Sequence, residues 1–208
     1  MRDAQSDIIC KNCWNKAVEC FGTSKIFQAR ARWYRRWLNI VSYLGVGVPA
    51  LVGIAILTWG QEAFDLPGFI FLASALGVVQ VMVSVVSLVK SWPEELEYAN
   101  ESSYANMKLA DDFKVLAEQA ASPPTDLKAR ADQLLAADQA RMQQDSKKHV
   151  SEKELRFGHR HGLRQFRRAC AGCGEVPTDL NSTKCNVCGD FKWLSIKLLR
   201  RSLTAFSN

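Results

Sequence analysis

The stretches LNIVSYLGVGVPALVGIAILTW (residues 38–59) and LPGFIFLASALGVVQVMVSVVSLV (residues 66–89) decide the fold, because neither contains a charged side chain. At 22 and 24 residues, each exceeds the roughly 20 that a helix needs to cross about 30 Å of hydrocarbon. Both are expected to span. A pair of buried core helices is the alternative, but a chain of 208 residues offers little else to cover two such runs.

The flanks orient the hairpin. Arg30, Arg32, Arg35 and Arg36 precede the first run and Lys90 ends the second, whereas the hinge Gly60–Asp65 carries Glu62 and Asp65 and no base. Lys and Arg stay on the cytoplasmic side, so both termini are expected in the cytoplasm of a bacterial inner membrane. Trp33, Tyr34, Trp37 and Trp92 fall where an inner aromatic belt would lie, and Trp59 where an outer one would. The first 37 residues are polar and lack the apolar stretch of a cleaved signal peptide.

Outside the hairpin the charge alternates in blocks. Residues 1–37 sum to +5, residues 91–146 to −6 and residues 147–208 to +8, within a net charge of +6. The basic ends suit anionic lipid headgroups or the acidic middle of the same or a neighbouring chain, with nucleic acid a third partner class. Roughly 150 residues lie outside the two runs, which suits a helical region and one small module.

Residues 1–37 read as a juxtamembrane helix, with Trp14, Val18, Phe21, Ile26 and Phe27 at apolar positions and a break expected at Gly22-Thr23-Ser24. Cys10 and Cys13 form a CxxC, with Cys20 seven residues on. On a helix they share a face at i, i+3, and packing as small hydrophobes competes there with a metal or redox role. Trp92-Pro93-Glu94-Glu95 suits a first helical turn. Leu109, Phe113, Leu116 and Ala120 continue it, and Ser122-Pro123-Pro124-Thr125 stops it. Asp126 is the expected N-cap of a second helix with Leu127, Ala131, Leu134 and Leu135 on its apolar stripe. An antiparallel pair results, too thinly apolar to stand alone. Asp111 and Asp112 lie among solvated charges without a histidine, phosphate loop or nucleophile nearby, so no enzyme is read here.

Within the first run Ser42, Gly45, Pro49 and Gly53 recur at spacings of three or four, and in the second Ser74, Gly77, Gln80, Ser84 and Ser87 do the same. Small residues let helix backbones approach closely, and a glutamine in hydrocarbon needs a hydrogen-bond partner. The stripe is therefore either a packed interface or, in a homo-oligomer, the lining of a polar path.

The sharpest chemical signal is Cys170-Ala-Gly-Cys173-Gly174 and, eleven residues after Cys173, Cys185-Asn-Val-Cys188-Gly189. Two residues between thiolates let one tight turn aim both sulfurs at a single ion, and the following glycine tolerates the backbone angles of the knuckle. Four thiolates then close a structural Zn2+ site, one per chain, with no open position. Iron or two disulfides are the alternatives, and a reducing cytoplasm favours metal over disulfides.

Upstream, Ser151-Glu-Lys-Glu154 is a capping box. The helix it opens carries Arg156, His159, Arg160, His161, Arg164, Arg167 and Arg168. Arg160, Arg164, Arg167 and Arg168 are candidate contacts for lipid, a nucleotide or nucleic acid, against a plain solvated face. Residues 191–201 read as a strand or a basic amphipathic tail.

The fold class is thus a mainly α membrane protein: a two-span transmembrane hairpin with cytoplasmic helices and a small C-terminal zinc ribbon. Its parts are residues 1–37, the hairpin 38–90, a helical hairpin 91–150 and a basic helix with zinc ribbon and tail at 151–208. The helix bearing Gly22-Thr-Ser-Lys-Ile-Phe27 and Arg30, the hairpin with Val48-Pro49-Ala50 and the following helices resemble the SLATT group of two-transmembrane effectors. Cys170-x2-Cys173-x11-Cys185-x2-Cys188 resembles a subset of small mobile-element proteins with the same cysteine pattern. Together these likenesses cover roughly residues 14–188. They imply an antiphage or mobile-element conflict effector, silent until a sensor protein, often tied to a nucleotide signal, releases it to perturb the membrane. A membrane-tethered zinc-ribbon adaptor for protein or nucleic acid, or a structural subunit of a membrane complex, would use the same parts.

Overall fold

The computed structural model describes residues 2–59, 67–119 and 126–191, with side chains from residue 6 onward and none described at 59, 67, 69 and 70. Five helices form: α1 (Arg2–Trp59), α2 (Pro67–Val89), α3 (Trp92–Gln119), α4 (Leu127–Asp145) and α5 (Glu152–Gln165). Among the described residues there is no strand. The hinge, the proline pair at 123 and 124, and the tail from residue 192 lie outside the described residues, as does the Trp59 side chain.

The chain divides into two compact units, Met1–Gln28 with Asn100–Asn208, and Ala29–Ala99. In the first unit the period of 3.6 sets the core. Cys13, Ala17, Cys20 and Phe21 of α1 meet Leu109, Ala110, Phe113, Leu116 and Ala117 of α3 and Leu127 and Ala131 of α4. Phe113 is 1 % exposed, and truncating such a side chain to Ala costs about 3–5 kcal/mol.

α3 and α4 run antiparallel, as expected, and the polar ends of their stripes match as well as the apolar ones. Asp145 accepts from Ser102 Oγ at 2.8 Å and from Asn106 Nδ2 at 2.7 Å. Arg141 joins Asp145 at 3.1 Å and Glu101 at 2.7 Å. A buried polar group left without a partner is costly, so this network fixes the register that the apolar residues alone would leave loose.

The expected starts hold in detail at one helix and not at another. Ser151 and Glu154 close a complete capping box on α5. Asp126 stands at the N-cap of α4, but its side chain accepts no capping bond. The expected break at Gly22 does not occur, and α1 runs through it without interruption. Gly22 serves proximity: a Cβ there would stand 2.7 Å from the carbonyl oxygen of Gly158 on α5. A Cβ on Gly162, one turn on from Gly158, would stand closer still to the Val18 carbonyl oxygen.

In the second unit, α1 and α2 each hold a run long and apolar enough to cross a membrane, and only 6 % of each run is buried. Pro49 sits inside α1 without ending it, which is tolerated where neighbouring groups re-satisfy the freed carbonyl. Val46, Leu51, Ile54 and Leu57 of α1 and Val78, Val81, Met82 and Leu88 of α2 are exposed. Gln80 faces α1, its Nε2 3.6 Å from where a Cβ on Gly45 would stand. Gly77 and Ser84 are half-buried and Ser87 is buried, whereas Ser74 is exposed. On α1, Ser42 and Pro49 are exposed and Gly53 has open space beside it. Gly45 of α1 and Gln80 of α2 therefore face each other, while Ser42, Pro49 and Ser74 lie on the outside.

At one end of this unit Trp33, Tyr34, Trp37 and Trp92 cluster, with Trp33 and Trp92 centroids 5.6 Å apart and Trp33 and Tyr34 5.0 Å apart. Ser91, at φ 47°, turns the chain from α2 into α3.

Candidate metal centre

Two short knuckles follow α5. In the first, Gly174 N–H donates to the Cys170 carbonyl at 2.8 Å and Gly172 N–H to Cys170 Sγ at 3.4 Å. In the second, Gly189 N–H donates to the Cys185 carbonyl at 2.9 Å and Val187 N–H to Cys185 Sγ at 3.4 Å. The same turn is thus built twice. The glycines differ in purpose: Gly174 takes φ +74°, whereas in the second knuckle Asp190 takes the left-handed angle, φ 50°. Gly189 instead leaves room for Thr183, whose atoms a Cβ would strike.

The knuckles face each other, so that the four sulfurs lie within 4.8 Å of one another. Cys170 and Cys185 Sγ are 4.0 Å apart, and Cys173 and Cys188 Sγ 3.8 Å. A tetrahedral zinc with bonds of about 2.3 Å requires sulfurs separated by about 3.8 Å. All seven cysteines are free, and these separations are about twice a disulfide bond. Cys170, Cys173, Cys185 and Cys188 can therefore hold one Zn2+ ion, with every position taken by protein and none left for water.

The four thiols do not ionise alike. The Cys188 and Val187 backbone N–H groups draw the Cys185 thiol down to about 6. Burial pushes the Cys188 thiol up, and its neighbouring sulfurs push the same way; a cation among them is what allows all four to ionise.

Residues 10–191 match the family described as mobilome CxxCx(11)CxxC protein. The chain belongs to this family. The matched region takes in α1 to α5 and both knuckles, so the family is defined by the helices as well as by the cysteines. No curated protein and no solved structure matches the chain.

The knuckles rest on α1 and α5. Leu163 of α5, with Val18 of α1, packs on Cys170 and Cys188. Arg156, Arg160 and Arg164, at i, i+4 and i+8, all reach the cysteine module. Arg156 Nη1 pairs with Asp190 at 3.1 Å, Arg160 Nη2 with Asp179 at 2.9 Å, and Arg164 Nε donates to the Thr178 carbonyl at 3.1 Å. The Asn181 backbone N–H and Arg160 together hold the Asp179 carboxyl at about 2. Arg160, expected on an open basic face, is 6 % exposed; a fork of donors fixed on one carboxylate and one carbonyl is not available to an outside ligand. Arg167 is exposed, and Arg168 lies 5.8 Å over the Trp14 ring.

The other cysteines pack. Cys10 Sγ donates to the Ala117 carbonyl at 3.4 Å, and Cys13 is buried in the α1–α3–α4 core. Cys20 Sγ donates to Asp138 at 3.3 Å, and Lys16 pairs with the other oxygen of Asp138 at 3.1 Å. Burial, and then the Asp138 charge, push the Cys20 thiol far up, which keeps it protonated and poorly nucleophilic.

Proposed function

We propose that the chain is an oligomeric membrane effector of the SLATT kind, acting in a bacterial antiphage or mobile-element conflict system and performing no catalysis. The observation that carries this reading is Gln80. It sits half-buried on an apolar helix of whose run only 6 % is buried, and it has no hydrogen-bond partner among the described residues. In hydrocarbon an amide finds its partner on another helix or in water. The exposed Ser42 and Pro49, with the open space beside Gly53, offer a second copy of the hairpin a surface for close approach. Several copies assembled in this way can bury Gln80 at rest or wet it when the bundle opens. A sensor protein or nucleotide signal need favour one packing by only a few kcal/mol.

In this reading both termini are cytoplasmic and the zinc module is a structural part of the receiving unit. The adaptor reading, with nucleic acid as partner, loses support where Arg156, Arg160 and Arg164 bind the knuckles. The mass of the detergent-solubilised chain tests the proposal. A closed ring of several copies supports it, and a monomer at every protein concentration rejects it.

A further inference from the structure

We infer that Arg160 is the charge-compensating residue of the metal centre, supplying to Cys188 the hydrogen bond that the backbone gives to Cys170 and Cys185. In a thiolate knuckle the N–H two residues beyond each cysteine is placed to donate to its sulfur. Gly172 does this for Cys170 and Val187 for Cys185, both at 3.4 Å. The equivalent group for Cys188 is the Asp190 N–H. It is turned away by the left-handed backbone of Asp190 and donates to the Thr183 carbonyl at 2.6 Å.

Cys188 is also the most buried of the four, at 1 % exposed, whereas Cys173 is open to water. Four thiolates around Zn2+ leave two negative charges in excess, and the least hydrated sulfur has most need of an outer donor. Arg160 Nη1 lies 3.8 Å from Cys188 Sγ. Its aim is fixed by the rest of the guanidinium, with Nε on the Asp179 carbonyl at 3.0 Å and Nη2 on the Asp179 carboxylate at 2.9 Å. Arg156 and Arg164 reach Asp190 and Thr178 and touch no sulfur, so the role belongs to Arg160 alone among the three.

The test is zinc transfer from the full chain in detergent to the chromogenic chelator 4-(2-pyridylazo)resorcinol. R160Q is expected to release zinc about 10–100-fold more readily than the parent, the range for loss of an outer-shell partner. R164Q is expected to stay within about twofold of the parent, and R160K to fall between parent and R160Q because it keeps the charge without the fork. In the Co2+-loaded chain, R160Q should shift the thiolate-to-cobalt charge-transfer band, which a change in packing elsewhere would not move. Parent-like release by R160Q, or equal loss in R160K and R160Q, overturns the assignment. If R160Q does not assemble, D179N applies the same test by freeing the guanidinium from its anchor, and parent-like zinc retention by D179N overturns it as well.

Discussion

Gly22 and Gly158 meet backbone to backbone: a Cβ on either would lie within 2.7 Å of the other's carbonyl oxygen. α1 and α5 are thereby held at a separation that no larger residue permits. Replacing Gly158 with Ala adds about 1 kcal/mol of helix propensity, but overpacking against backbone costs about 1–3 kcal/mol. The clash should win. Gly158→Ala is expected to lower the thermal midpoint followed by tryptophan fluorescence, whereas Gly47→Ala, whose Cβ would meet nothing within 4 Å, should not lower it. An unchanged midpoint for Gly158→Ala would show that the helices are less tightly apposed.

The metal content follows from the facing knuckles. The purified chain should carry about one zinc per chain, and Cys173→Ser should lose it together with the local fold, since a structural site supplies much of the folding free energy of so small a module. Cys10→Ser, Cys13→Ser and Cys20→Ser should keep it, because these sulfurs lie in the helical core or on Asp138. Elemental analysis decides the matter: no zinc would reject the site, and about two equivalents would make the N-terminal cysteines ligands.

Much of this was legible from periodicity and spacing. The apolar stripes of α1, α3 and α4, the capping box at Ser151 and the four-cysteine pattern are local signals, set by residues a few positions apart. What was misread depended on partners distant in sequence. A glycine can break a helix or admit a neighbour, and nothing near Gly22 announces Gly158. Three arginines at i, i+4 and i+8 resemble an open basic face until Asp179, Asp190 and the Thr178 carbonyl are seen to meet them. The Ser102–Asn106–Arg141–Asp145 network was missed for the same reason. Its signal was nonetheless present, as polar residues continuing the apolar stripes of α3 and α4 at the same spacing.

The proposed orientation rests on the arginines before the first run and the acidic hinge after it. A reporter fused after Glu62 should read external and one fused after Asn208 internal. The reverse labelling would contradict a cytoplasmic cysteine module, and with it the expectation that a reducing compartment keeps its thiols available to zinc.

Substitutions on α2 separate assembly from activity. Gly77 has open space beside it, so Gly77→Leu should obstruct the approach of a second copy and reduce the oligomer seen by cross-linking in membranes. A cross-linking pattern identical to the parent would place the copy-to-copy contact elsewhere.

The most direct measurement is dye entry and loss of membrane potential in cells producing the parent chain or Gln80→Leu, challenged with phage or given the sensor partner. The amide of Gln80, facing Gly45 without a hydrogen bond among the described residues, is the group that a polar path would use. Gln80→Leu should insert and assemble as the parent does and admit much less dye. Dye entry equal to the parent from a well-inserted Gln80→Leu chain, or no depolarisation by the parent under any challenge, would contradict the membrane-effector account.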